Sequence, residues 1–408
     1  MDDHAPSEQV RADVAILGGG IAGLWTLAHL RARGYAAVLC ESSGLGTGQS
    51  LRAQGIIHGG LKYALDGALS DASQALTGMP SRWQASLQGA RAPDLRGARL
   101  LSRYQYLVAG QGWGSRVTAL FASKLLQGRV TKLGAKAVPE PLAVALGRSA
   151  GCGIYQLEEP VVDVHSVLSA LAHANAEALL AIAADSPRLL YTAGHLTGVE
   201  VSSPQGQKLE VRCEHVVLCA GVGNEALGRG VPTGAAPMQR RPLRMVMLRG
   251  ALPDLYAHWL GTGTTPQATV TSHRDREGRA VWYVGGAVAE ARTHQEPRAH
   301  ARAARETLAA MLPGVDLSAC ALAVLDVERA EGRQVDGSRP NAPVLHHAGG
   351  VTQLWPTKLA FAPVVAEQVA ARLTAEDVRP GRHPPPDTRR WPRPVVGAPP
   401  WDEATAWH

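Results

Sequence analysis

The sequence predicts an α/β chain in which a parallel sheet with covering helices carries an inserted antiparallel sheet, and three stretches predict it. The first is Asp13-Val-Ala-Ile-Leu-Gly18-Gly-Gly20-Ile-Ala-Gly23-Leu-Trp-Thr-Leu-Ala-His-Leu30, an apolar strand that passes through a glycine turn into a helix and is followed by a second strand, Val38-Leu39-Cys40-Glu41. The second is His215-Val-Val-Leu-Cys-Ala220-Gly221, almost wholly apolar and suited to a central parallel position. The third is the pair of apolar runs at 243–250 and 280–288, which read as neighbours in an antiparallel sheet.

Residues 1–11 are polar and are expected to fray. The next unit reads as a dinucleotide-binding βαβ. In Gly18-x-Gly20-x-x-Gly23 the glycines permit a tight turn, backbone approach to a pyrophosphate and close helix-to-strand packing. The phosphates would sit on the helix N-terminus at Ile21 and Ala22. Glu41, eighteen residues past Gly23, is placed to accept hydrogen bonds from a ribose. Further along, Asp163 caps an expected helix to Asn175 whose apolar side repeats at Val164, Leu168 and Leu171. Short strands follow at 189–191, 196–201 and 209–212. Gly221-x-Gly223-x-x-Ala226 could be a second fingerprint, but Leu227-Gly-Arg-Gly-Val-Pro232 is too broken to supply the helix, so a return strand beside the first nucleotide is the better reading. An Ala/Arg-rich helix is expected over 299–312 and a final helix over 363–373, opened by Pro363. From Arg379 to Pro400, eight prolines and five arginines exclude regular structure, so an extended tail is expected, packed on the body or mobile.

At 408 residues and 45% hydrophobic content the chain can bury a large core and divide into two domains. Mean hydropathy is -0.07, no uninterrupted apolar run reaches a spanning length, and Asp2 and Asp3 stand where a secretory leader would be basic. Five cysteines form no CxxC pair, which fits a reducing cytoplasm. A formal charge of +6 with only 5% aromatic residues argues against nucleic acid and fits an anionic small molecule or contact with anionic lipid at the inner face of a membrane. The histidines show no metal-ligand spacing, so no metal is expected.

The fingerprint, the segment Gly44-Leu-Gly-Thr-Gly-Gln-Ser50-Leu-Arg-Ala-Gln54-Gly55-Ile-Ile-His58-Gly-Gly60-Leu-Lys-Tyr63, the Asp163 helix, the Val216 to Gly221 strand, the Arg339-Pro340 turn and the Lys358 block resemble, in order, the D-amino-acid-oxidase-like family of FAD-dependent oxidoreductases. Within it, Gly55 to Tyr63 looks most like glycerol-3-phosphate and L-2-hydroxyglutarate dehydrogenases, although Trp355-Pro356 stands where the glycerol-phosphate branch carries glycines. The resemblance implies a Rossmann-like FAD-binding domain with an inserted antiparallel-sheet substrate domain, the glutathione-reductase-2-like arrangement. The expected FAD-binding parts are 12–75, 150–225 and 335–375, the substrate parts 76–149 and 226–334, with 379–408 as the tail. It also implies FAD contacts from Gly18, Gly20, Ile21, Ala22, Gly23, Glu41, Gln49, Ser50, Gln54, Gly55, Ala220, Gly221 and the backbone of Thr357, Lys358 and Leu359.

Removing hydride from a carbon that bears a hydroxyl requires a base for the hydroxyl proton, and His58 is the candidate. Its alternatives are a histidine that only hydrogen-bonds the flavin and one that carries it covalently. An anionic substrate requires fixed positive charge, for which Arg339 and Lys358 lead and Arg52, Lys62 and Arg244 follow. The leading expectation is a dehydrogenase or oxidase of a small anionic hydroxy compound; an amine or amino-acid oxidase on the same fold and a flavin-binding protein without turnover are the alternatives. Oxygen, a quinone or an electron-transfer protein would each be compatible as electron acceptor.

Overall fold

The computed structural model describes residues 8–60, 76–110, 129–147, 152–261, 265–290 and 295–408. A six-stranded sheet forms the nucleotide side, in the order Val344–Ala348, Val351–Trp355, His215–Leu218, Val14–Leu17, Ala37–Glu41 and Leu179–Ala181. All its pairings are parallel except that of the first two strands. Val14–Leu17 and His215–Leu218 are buried at every position, as continuous apolar runs in the middle of a covered parallel sheet must be.

Helix Ile21–Arg31 follows the first strand and buries ten of its eleven residues between the sheet and helix Ala362–Ala375. Such all-round burial explains why it shows no clean polar face. Asp163 caps helix Val164–Ala174 as expected, its side chain accepting the Ser166 N–H at 3.1 Å. The expected 299–312 helix is found at Pro297–Met311. After His215–Leu218 only a 3-10 turn and the five-residue helix Asn224–Gly228 follow, in keeping with a return strand rather than a second phosphate site.

The substrate side is an eight-stranded sheet in which Met238–Arg249 pairs with Ala321–Gly332 over twelve residues and with Ala280–Gly285. Its far end is built from Gln105–Ala109, Gly153–Leu157 and Val130–Lys132. Strand Gly153–Leu157 belongs to this large sheet and not to the FAD-binding parts, because it pairs with Gln105–Ala109. Conversely helix Met79–Leu87 packs on the nucleotide side: the Trp83 ring lies 4.6 Å from that of Trp25, and its indole N–H donates to the Ala360 carbonyl at 3.0 Å.

The N-terminal strand departs from expectation, and the tail takes the packed one of its two expected arrangements, with a short helix added at Pro400–Glu403. Residues 8–11 do not fray but pair in parallel with Lys208–Arg212, which supplies the backbone partners that a polar strand needs. The tail lies across the body as a strap. Trp391 and Trp401 are buried, the Leu45 N–H donates to the Val395 carbonyl at 2.8 Å, and a short helix forms at Pro400–Glu403. Among the described residues, no helix is long and apolar enough to cross a membrane.

Candidate active site

The glycine turn has the geometry that the spacing requires. Gly18 adopts φ of +115°, and a Cβ there would meet the Ala220 backbone at 2.7 Å. A Cβ on Gly23 would stand 2.0 Å from the Gly18 carbonyl oxygen, so the helix reaches the strand only without a side chain there. Glu41 is pinned beside the turn: one oxygen accepts the Gly19 N–H at 2.6 Å and the other those of Ser42 and Ser43. The Ser50 hydroxyl accepts the Ile21 N–H at 2.9 Å, capping the helix from a distant segment. Gly18, Gly20, Ile21, Ala22, Glu41, Gln49, Ser50, Ala220 and Gly221 line one channel of about 560 Å³.

A second cleft of about 190 Å³ opens beside the channel. Ile21, Gln49, Ser50, Arg52 and Pro356 line both, so the two spaces adjoin. Gln54, Gly55, His58, Arg339, Thr357, Lys358 and Leu359 line the cleft, bringing together residues spread over three hundred positions of chain. The Gln54 amide donates to the Thr269 and Tyr283 carbonyls, both at 2.9 Å, and so ties its loop to the substrate sheet. Thr357 holds φ of +60°, an uncommon conformation for a non-glycine residue and one that concentrates at functional turns. The helix after it starts at Ala362 through a 3-10 turn at Leu359–Phe361.

His58 is held by a carboxylate that the sequence did not single out. Its Nδ1 lies 3.2 Å from Glu159 Oε2, and Glu159, 5% exposed, also accepts the Gly59 N–H at 2.7 Å. His58 also lines the cleft. The ring stacks on His258 with centroids 5.8 Å apart, and His258 Nδ1 lies 2.8 Å from the Thr269 hydroxyl. His58, Glu159 and His258 together gather potential ligand atoms within 4.8 Å, a grouping that the expectation of no metal did not foresee. Glu159 and His258 meet His58 only through the fold, and no local spacing signals them.

The expected cations divide. Arg339 reaches the cleft, and its Nε is buried without a hydrogen-bond partner. Lys358 also lines it, but its ammonium donates to the Asn341 carbonyl at 3.3 Å and lies 5.2 Å over the Phe361 ring. Arg244 does not reach the cleft; it is paired with Asp326 at 2.6 Å. Lys62 lies outside the described residues. Arg52 lines the cleft, and so does Arg329, which the sequence reading missed because one arginine in an alternating strand looks like solvated surface. Burial, and then the Arg339 and Arg241 guanidiniums, push the Arg329 pKa down to about 10.

The family described as FAD dependent oxidoreductase matches residues 13–372 of the chain. The chain belongs to that family. A probable FAD-dependent oxidoreductase of Pseudomonas aeruginosa is 44% identical over 402 residues, spanning 98% of this chain and 100% of the relative. The crystal structure of an FAD dependent oxidoreductase from Pseudomonas aeruginosa matches with TM-score 0.83 and 39% identity, over 98% of this chain and 100% of that one. Glycine oxidase from Geobacillus kaustophilus is similar with TM-score 0.61 and 17% identity, over 92% of this chain and 100% of its own. L-proline dehydrogenase from P. horikoshii gives 0.65 and 14%, over 93% and 96%. At such identities the likeness speaks for the fold alone. FAD is the cofactor of this oxidoreductase, and the residues present fit it: the close-packed glycine turn would take its diphosphate, Glu41 at the channel its ribose, and the adjoining cleft its ring.

Proposed function

We propose that this FAD-dependent oxidoreductase removes hydride from a small anionic hydroxy compound, of the 2-hydroxy acid or glycerol 3-phosphate type. The observation that carries the reading is that His58, held from behind by Glu159, lines the same cleft as Arg339, whose buried Nε has no hydrogen-bond partner among the described residues. Bound FAD supplies the hydride acceptor. Arg339 holds the anionic group by charge-assisted hydrogen bonds and so fixes which carbon faces the ring. His58 Nε2 takes the hydroxyl proton as the C–H bond breaks. Glu159 holds the imidazole in one orientation through Nδ1 and stabilises the imidazolium that forms. A protein that bound flavin without turnover would need the glycine turn and Glu41 but no base or guanidinium in the cleft.

An amino acid would meet Arg339 through its own carboxylate, so amines enter the test as the competing donors. Purified holoenzyme is mixed anaerobically with L-2-hydroxyglutarate, glycerol 3-phosphate, L-lactate, sarcosine and D-alanine in turn while the flavin absorbance is followed. Bleaching by a hydroxy compound supports the reading. Bleaching by an amine alone overturns it in favour of CH–NH oxidation, and bands that persist with every compound favour a binder without turnover.

A further inference from the structure

We infer that the cleft selects a substrate carrying two negative charges, held between Arg329 and Arg339; the inference rests on the anionic-substrate reading above. Arg329 stands on strand Ala321–Gly332 directly opposite Arg241 of strand Met238–Arg249. Like charges facing each other across an antiparallel ladder repel, and such a pair persists only where something else compensates it. The two carboxylates close by are engaged by Arg241, Glu331 at 2.9 Å and Glu290 at 3.5 Å. Among the described residues no carboxylate forms an ion pair with Arg329 or Arg339, and the Arg339 Nε is buried and unpartnered.

The cofactor's diphosphate would lie in the channel and its oxidised ring carries no charge, so neither neutralises this excess. Arg329 and Arg339 line the cleft and not the nucleotide channel, whereas Arg52 lines both. A monoanion matches one of the two guanidiniums and leaves the other desolvated and unpaired, which is costly. A dianion matches both. Two carboxylates of a dicarboxylic acid and a single phosphate share this chemistry.

The test is calorimetric titration of the oxidised holoenzyme with acetate, malonate and inorganic phosphate, at one ionic strength and at a pH where phosphate is doubly ionised. Malonate or phosphate is expected to bind at least about tenfold more tightly than acetate. Preference for malonate identifies a dicarboxylate site and preference for phosphate a phosphate site; either supports the inference. Arg329→Gln is expected to abolish the ratio with FAD content unchanged, and Arg329→Lys, which keeps charge but loses the planar fork, to leave an intermediate one. Acetate binding as tightly as both dianions overturns the dianion inference and leaves the monoanionic reading standing. No binding of any of the three overturns both. A wild-type ratio that survives in Arg329→Gln removes Arg329 from the site.

Discussion

His58 can act as a base only if its ring is held in one orientation, and the buried Glu159 carboxylate holds it at Nδ1 while anchoring the Gly59 backbone. Glu159→Gln should lower kcat by about tenfold or more, with KM and FAD content little changed. The double variant His58→Ala/Glu159→Gln should be no slower than His58→Ala alone, since the two groups act as a unit. Additive losses measured in that cycle would mean that Glu159 acts independently of His58. Arg339→Ala should raise KM by about tenfold or more without loss of flavin; an unchanged KM would remove it from the site. His58 and Arg339 were legible in the sequence because they fall in segments with a recognisable order. Glu159, His258 and Arg329 were not, because each acquires its meaning from a partner far away in the chain. Glu159 sits 101 positions from His58, and Arg329 faces Arg241 only once two strands are in register.

The first βαβ unit was readable nearly residue by residue, since periodicity and glycine spacing are local signals. What closes its helix N-terminus was not: the Ile21 N–H is met by Ser50, twenty-nine positions on. Gly23→Val should abolish FAD binding, because a side chain there collides with the Gly18 carbonyl oxygen; a purified variant with full flavin absorbance would contradict this. The Asp163 cap was equally legible. Asp163→Ala should cost about 1 kcal/mol in unfolding free energy, seen as a lowered denaturant midpoint with flavin still bound. The strands at 153–157 and 8–11 escaped because their assignment depends on which sheet they join, which is a question of pairing and not of composition.

The tail ties the molecule together. The Leu45 N–H and carbonyl bond to Val395 and Gly397, and the neighbouring Gly46 N–H donates to the Gly19 carbonyl of the phosphate turn. On the other side Trp401 stacks on His273 at 4.1 Å and its indole N–H donates to the Arg274 carbonyl. Removing residues 379–408 should therefore speed FAD release as well as lower stability; a truncated chain that keeps its flavin as tightly as the full chain would contradict that coupling. Acid should loosen the whole. Burial pushes His29 down to about 4 and His273 to about 3, whereas in the unfolded chain both protonate near 6.5. The unfolded state thus takes up protons first, so stability should fall as pH drops from about 6.5 toward 4. Denaturant midpoints measured across that window should decline, and less steeply in His273→Gln; a midpoint that rises on acidification would refute the assignment.

The first βαβ unit, its phosphate turn and Glu41 followed from residue order alone, because their pattern lies within about thirty residues that periodicity and glycine placement encode. The cleft did not. Its carboxylate, its second arginine and the strap that braces its loop come together only when the two sheets pack and the chain ends fold back, and long-range packing leaves no local pattern to read.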